Sequence, residues 1–165
     1  MTIRVLITGG TIDKAYDALT GKLVFGQSHM PEMLSRSRLA LEVSPEVLFL
    51  KDSLDIVDTD RELILRQCMQ SDEHHILISH GTDTMVETAH LLGKHINHKI
   101  IVLFGAMIPY SVDHSDALFN LGFALRALQV QKPGVYIAMN GQVFAFDAVR
   151  KNKALGIFES VSVQS

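Results

Sequence analysis

Short apolar runs alternate along this chain with longer amphipathic ones, and that alternation constrains its fold more than any other feature. Ile3–Ile7, Glu46–Leu50, His75–Ser79, Lys99–Phe104 and Val135–Met139 are short, rich in β-branched or aromatic residues and followed by turn residues, as buried strands are. Between them, helical spacing places Met85, Ala89, Leu92 and Ile96 on one face of a segment from Thr82 to Ile96. The same spacing aligns Leu118, Leu121, Gly122, Leu125 and Leu128 between Ser115 and Val130. Thr59 followed by Glu62 has capping-box spacing ahead of Leu63, Ile64, Cys68 and Met69. Strands that are apolar at nearly every position, separated by helices, require a parallel sheet covered on both faces. Asn140-Gly141, between Tyr136–Met139 and Val143–Phe146, is a hairpin signal, so an antiparallel extension is expected at one edge. The expected fold is therefore α/β, a three-layer sandwich with a mostly parallel sheet, forming one domain over residues 1–165.

Composition narrows the function classes. Hydrophobic residues make up 47% of the 165 without counting glycine, and charged residues 20%. Such a chain buries a substantial core, which excludes disorder and collagen-like sequence. A net charge of −3 leaves no electrostatic footprint for nucleic acid. The longest apolar run, Ile100–Ile108, is closed by Pro109 and falls well short of the roughly 20 residues a spanning helix needs. Val5–Ile7 is too short for the apolar region of an export signal, and the one cysteine, Cys68, fits a reducing compartment. A cytoplasmic protein with no membrane or nucleic-acid partner is expected. No zinc-ligand spacing links the eight histidines.

Two stretches, Asp13–Ser28 and Ile108–His114, fit no regular element and begin where ligands bind in open α/β sheets, beyond the carboxyl ends of strands. Three motifs lie at such positions. Thr8-Gly9-Gly10-Thr11 reads as a tight turn, as a phosphate cradle lacking the usual spacing, or as the seat of a hydroxyl nucleophile at Thr11. His80-Gly81-Thr82-Asp83-Thr84-Met85 either caps a helix through Thr82 or Asp83, or aims a hydroxyl and a carboxylate at a ligand. Arg150-Lys151-Asn152 is either a solvated basic turn or a lysine held beside a hydroxyl that it activates. The partial strand pattern from Ala154 to Ser165 suggests a loosely held tail.

Leu6–Ile12, Ile76–Ala89, Val102–Pro109, Asp116–Leu121 and the Met139-Asn140 turn leading to Lys151 together resemble the bacterial-type L-asparaginase family, in order and spacing along essentially the whole chain. The resemblance implies a flavodoxin-like strand order. It also implies hydrolysis of the side-chain amide of asparagine, or a related small amide, through an acyl-enzyme without metal or cofactor. Thr11 matches the nucleophile, and Thr82, Asp83 and Lys151 match the second catalytic group, with Asp83 also gripping the substrate's α-amino group. Ser53 matches the serine that holds the α-carboxylate; Gly10, Gly81 and Ala106 are the remaining expected substrate contacts. Tyr16 is the tyrosine available to assist Thr11, whereas Phe25, nearer the spacing of longer family loops, has no hydroxyl. The sequence departs from the family at Leu54, where a glutamine is usual, at Ile108, where an arginine is usual, and in lacking a counterpart of the second, smaller domain. Two functions follow: a homo-oligomeric amidohydrolase, or an amino-acid-binding domain or subunit completed by another chain.

Overall fold

A computed structural model describes residues 1–161. The elements in chain order are β1 (Thr2–Gly9), β2 (Lys14–Asp17), β3 (Lys22–Phe25), α1 (Met30–Arg36), β4 (Glu42–Lys51), α2 (Asp58–Gln70) and β5 (His75–Ser79). Then come α3 (Met85–His95), β6 (Ile100–Phe104), α4 (Ala117–Val130), β7 (Gly134–Met139), β8 (Gln142–Ala145), β9 (Val149–Asn152) and β10 (Ile157–Ser160). All five expected strands are present. With β8 they form one six-stranded sheet in the order β4-β1-β5-β6-β7-β8, parallel except for the last pair. This is the flavodoxin-like order, in which the chain reverses direction across the sheet at β1 and β5.

The pleat explains why these strands are apolar on both faces. Ile3, Val5 and Ile7 of β1, Leu77 of β5 and Val102 and Phe104 of β6 pack with α1 and α4. Leu6, Ile76, Ile78, Ile101 and Leu103 point the other way, into a second cluster with α2 and α3. A helix layer thus covers each face. Pro45, which has no N–H to donate, sits in the edge strand β4 opposite Val5, where a missing donor costs least. The β7–β8 turn is built as expected, with Asn140 at φ 50° and Gly141 at φ 82°.

Several expectations need correction. The helix α2 starts at Asp58, and its cap is not Thr59–Glu62: the Asp60 carboxylate reaches back to the Val57 N–H at 3.0 Å. The Asp13–Ser28 stretch is not irregular, because β2 and β3 pair antiparallel from Lys14↔Phe25 to Asp17↔Lys22. Asp17 organises that turn by accepting from the Leu19 N–H and the Thr20 hydroxyl, and Gly21 completes it at φ 69°. Both strands carry exposed side chains, so apolar patterning gave no signal for them. Within the tail, Ile157–Ser160 pairs with β9, and Phe158 is buried; residues 162–165 lie outside the described part. Among the described residues, no helix is long and apolar enough to cross a membrane.

Candidate active site

The carboxyl ends of β1, β4 and β5 meet through glycine. A methyl on Gly9 (φ 94°) would lie 2.6 Å from the Lys51 nitrogen, and one on Gly10 (φ 85°) 2.4 Å from the Gly81 nitrogen. The other side of Gly81 faces Ser53, where a methyl would come within 2.6 Å of the serine Cβ. Only glycine lets three backbones approach this closely, and positive φ at Gly9 and Gly10 adds a second reason for it there. The Gly10 N–H donates to the Lys51 carbonyl at 2.9 Å, closing the junction. Thr11 and Thr82 each follow one of the two touching glycines, so the fold brings their chain segments together.

Thr82 and Asp83 do not cap a helix. The helix α3 begins only at Met85, and Thr84, at its N-cap position, instead donates its hydroxyl to the Ser53 carbonyl at 2.7 Å. Both side chains are thereby left for Lys151. Its ammonium donates to Thr82 Oγ1 at 2.7 Å and to Asp83 Oδ1 at 2.6 Å. The lysine side chain is 8% exposed, so the solvated-turn reading of Arg150–Asn152 does not hold at this position. Strand pairing explains the difference: β9 is pinned to β10 with Lys151 opposite Phe158, and Arg150 bonds Glu159 at the surface.

Ser53, 2% exposed, accepts the Asp83 N–H at 3.2 Å, so the β4 loop touches the same cluster. Next to it Asp52 takes a hydrogen bond from Lys14, which holds its carboxyl below the usual range despite partial burial. Beneath the cluster His80 is fully buried. Its Nδ1 meets the Gly81 carbonyl at 2.7 Å, and its Nε2 meets the Thr88 hydroxyl at 2.8 Å. Desolvation lowers its pKa to about 4, so the ring is neutral. Nδ1 then carries the proton donated to the carbonyl, and Nε2 accepts from Thr88.

The fourth wall is the loop after β6. Ala106 is buried in the core cluster, so its methyl faces away from solvent. Met107 meets the cluster instead: Thr82 Oγ1 points at its sulfur, 3.7 Å away. This loop is fastened by Asp116, which accepts the Met107 and Ile108 N–H groups at 3.0 Å. Asn120, also buried, donates to the Gly105 carbonyl and to Asp116, and accepts the Asn140 N–H. Sequence reasoning missed Met107, and it reached Asp116 and Asn120 only through the family resemblance. Their i, i+4 spacing at the head of α4 was the available signal.

Thr11, partly buried, opens the short turn Thr11–Asp13, and its hydroxyl has no hydrogen-bond partner among the described residues. Tyr16 lies on β2 opposite Leu23, 66% exposed, and no hydrogen bond joins it to Lys151, Thr82 or Asp83. The structure therefore assembles Thr82, Asp83, Lys151 and Ser53 into one bonded cluster, sets the Thr11 turn against it through Gly10 and Gly81, and leaves Tyr16 facing solvent. A buried ammonium fixed between a hydroxyl and a carboxylate is an arrangement suited to supporting proton transfer during acyl transfer.

The family model "Asparaginase, N-terminal" matches residues 2–164. An L-asparaginase from Thermococcus kodakarensis is 31% identical over 98% of this chain and 52% of the relative. A glutaminase-asparaginase from Acinetobacter glutaminasificans is 27% identical over 89% of this chain and 48% of the relative. Among solved structures, the thermostable L-asparaginase from T. kodakarensis superposes with a TM-score of 0.86 at 29% identity, over 97% of this chain and 51% of that one. A probable cytoplasmic L-asparaginase from Campylobacter jejuni gives a TM-score of 0.80 at 29% identity, over 96% of this chain and 52% of that one. The chain spans about half the length of the L-asparaginases it matches.

Proposed function

The chain belongs to the asparaginase family, whose N-terminal-domain model covers residues 2–164, and from that premise we propose that it is an asparaginase-like amidohydrolase using a threonine nucleophile. The observation that carries this reading is the Lys151 ammonium, held between Thr82 Oγ1 and Asp83 Oδ1 beside the Thr11 turn. Thr11 Oγ attacks the carbon of the substrate's side-chain amide, and its proton passes to Thr82 Oγ1, held in place by the Lys151 ammonium, as Thr82 gives up its own hydroxyl proton toward the amide nitrogen. The tetrahedral intermediate collapses as that proton reaches the departing nitrogen; the C–N bond breaks and ammonia leaves. Water then cleaves the Thr11 ester, restoring the hydroxyl and releasing the carboxylic acid. The Thr82 N–H faces the developing oxyanion, a type of contact often worth more than any other in acyl transfer. Ser53 and Asp83 hold the far end of the amino acid, and Gly10, Gly81 and Ala106 contribute backbone.

The reading extends to a cytoplasmic homo-oligomer. Leu54, Ile108 and Leu155 flank the site and are 67%, 38% and 66% exposed, an apolar rim that a second copy would cover. The same rim supports a second reading, in which a different chain completes the site. Ammonia release by the purified chain from L-asparagine, L-glutamine and simple aliphatic amides, with Thr11→Ala as blank, tests the activity. Release that disappears in the variant supports it. Binding of L-asparagine without turnover would replace the hydrolase with a binding domain. Light scattering on the same sample separates a homo-oligomer from a monomer awaiting a partner.

A further inference from the structure

Asp13 lies two residues beyond Thr11 and has no solvent exposure. Its Oδ1 accepts two hydrogen bonds, from the His29 N–H at 2.7 Å and from the Ser28 hydroxyl at 2.9 Å. Its Oδ2 takes no bond from the described residues, nor does the buried Nε2 of His29. Buried polar atoms without partners are costly and uncommon. Desolvation accordingly pushes the Asp13 carboxyl above its ordinary range, against the opposing effects of the His29 N–H and Ser28 bonds.

The position of these bonds in the chain is informative. Residues 14–27 leave the sheet as the β2–β3 hairpin and return, and Asp13 stands at one end of that excursion with Ser28 and His29 at the other. One carboxylate oxygen therefore draws both ends of the loop together. Neighbouring contacts bear on the same neck. The Tyr110 N–H donates to the Ile12 carbonyl at 3.2 Å, the Ser111 hydroxyl to the Lys14 carbonyl at 2.9 Å, and the His29 ring packs 5.5 Å from that of Tyr110. The Thr11–Asp13 turn is thus fixed on its far side by this neck and on its near side by the Gly10–Gly81 contact.

We propose that Asp13 is a positioning residue for Thr11: by clasping Ser28 and His29 it closes the neck of the 14–27 excursion and holds the nucleophile's turn against the Lys151–Thr82–Asp83 cluster. The inference rests on the amidohydrolase reading for its catalytic consequence, but not for the clasp itself. Asparagine at this position keeps an acceptor for both bonds; alanine removes it. Small displacements of a reacting group cost rate more than binding, on the order of 100-fold for about an ångström.

The test compares Asp13→Ala, Asp13→Asn and Ser28→Ala with the wild-type chain in two measurements. Amide hydrogen exchange across residues 14–29 should accelerate on the order of tenfold in Asp13→Ala and less in Ser28→Ala, while the amides of β5 and β6 keep wild-type rates. On an amide that the wild-type chain hydrolyses, Asp13→Ala should lose kcat on the order of 100-fold with a much smaller change in KM, and Asp13→Asn should restore most of it. Unchanged exchange in Asp13→Ala overturns the clasp, and so does loss in Asp13→Asn as deep as in Asp13→Ala. An equal fall of kcat in all three variants with wild-type exchange overturns the positioning role. If Asp13→Ala does not fold, Ser28→Ala, which removes one of the two bonds, carries both readouts. If the wild-type chain hydrolyses none of the amides, the amidohydrolase reading fails, and exchange alone decides the clasp.

Discussion

Lys151→Met separates the chemistry of the site from its stability. Methionine follows the lysine stem as far as Cε, filling most of the same slot, but offers no ammonium. Two bonds disappear, at 2.7 Å to Thr82 and 2.6 Å to Asp83. The Asp83 side chain is 38% exposed, so its carboxylate regains water when the lysine goes. The loss is then that of a partly solvated charged hydrogen bond, about 1–2 kcal/mol, rather than the larger penalty of a stranded buried charge. For a chain of this size that lowers Tm by roughly 2–8 °C. The effect on rate is of another order. A positioned proton-transfer group contributes about 10²–10⁴-fold, equivalent to about 3–5 kcal/mol of barrier. Steady-state ammonia release should therefore show kcat reduced by two to four orders of magnitude, with an unchanged circular dichroism spectrum and a Tm lowered only by that roughly 2–8 °C. A Lys151→Met chain that keeps its kcat within about tenfold would refute the reasoning, since it would show that the ammonium is not in the proton path.

Three other outcomes follow from the same geometry. Gly81→Ala places a methyl 2.6 Å from Ser53 Cβ, which should cost about 1–3 kcal/mol in urea unfolding and also abolish turnover by parting Ser53 from the Asp83 N–H. Asn120→Ala strands the Gly105 carbonyl and the Asn140 N–H, so the urea midpoint should fall by the equivalent of about 2–4 kcal/mol. His80 has a native pKa of about 4 against 6.5 in the unfolded chain, so between these values the unfolded state binds more protons. Its contribution is intact above pH 6.5 and lost as pH falls toward 4, by at most about 3 kcal/mol, with Asp13, raised by burial, opposing the loss at the acid end. Urea titrations at several pH values should show that dependence in the wild-type chain and a shallower one in His80→Gln.

The fold was legible because its strands are buried on two faces. Runs such as Ile76-Leu77-Ile78 have no exposed register to confuse them, and Asn140-Gly141 admits few alternatives to a tight hairpin. What escaped notice lacked apolar periodicity: β2 and β3 have no fully buried residue, and α1 is short and starts at Met30-Pro31. The α2 cap was misplaced by two residues because Asp60, not Glu62, reaches the free N–H, and several polar residues nearby satisfy the same pattern. At the site, local spacing left capping and chemistry equally open for Thr82 and Asp83. That choice is made 68 residues downstream by Lys151, a separation at which no periodicity can speak. The resemblance grouped Thr82 and Asp83 with Lys151, and the structure joins Thr82 to Lys151 by a hydrogen bond of 2.7 Å. Neither gave notice of Asp13, whose burial is visible only once Ser28 and His29 fold back onto it.

The central claim is that Thr11 carries the acyl group. Acid-quenched mass spectrometry of the chain during turnover of its best amide substrate addresses that most directly, by locating any covalent adduct on its peptides. The account predicts an acyl ester on the peptide containing Thr11, formed as ammonia is released and absent from Thr11→Ala. An adduct on Thr82 instead, or turnover that persists in Thr11→Ala, would contradict it.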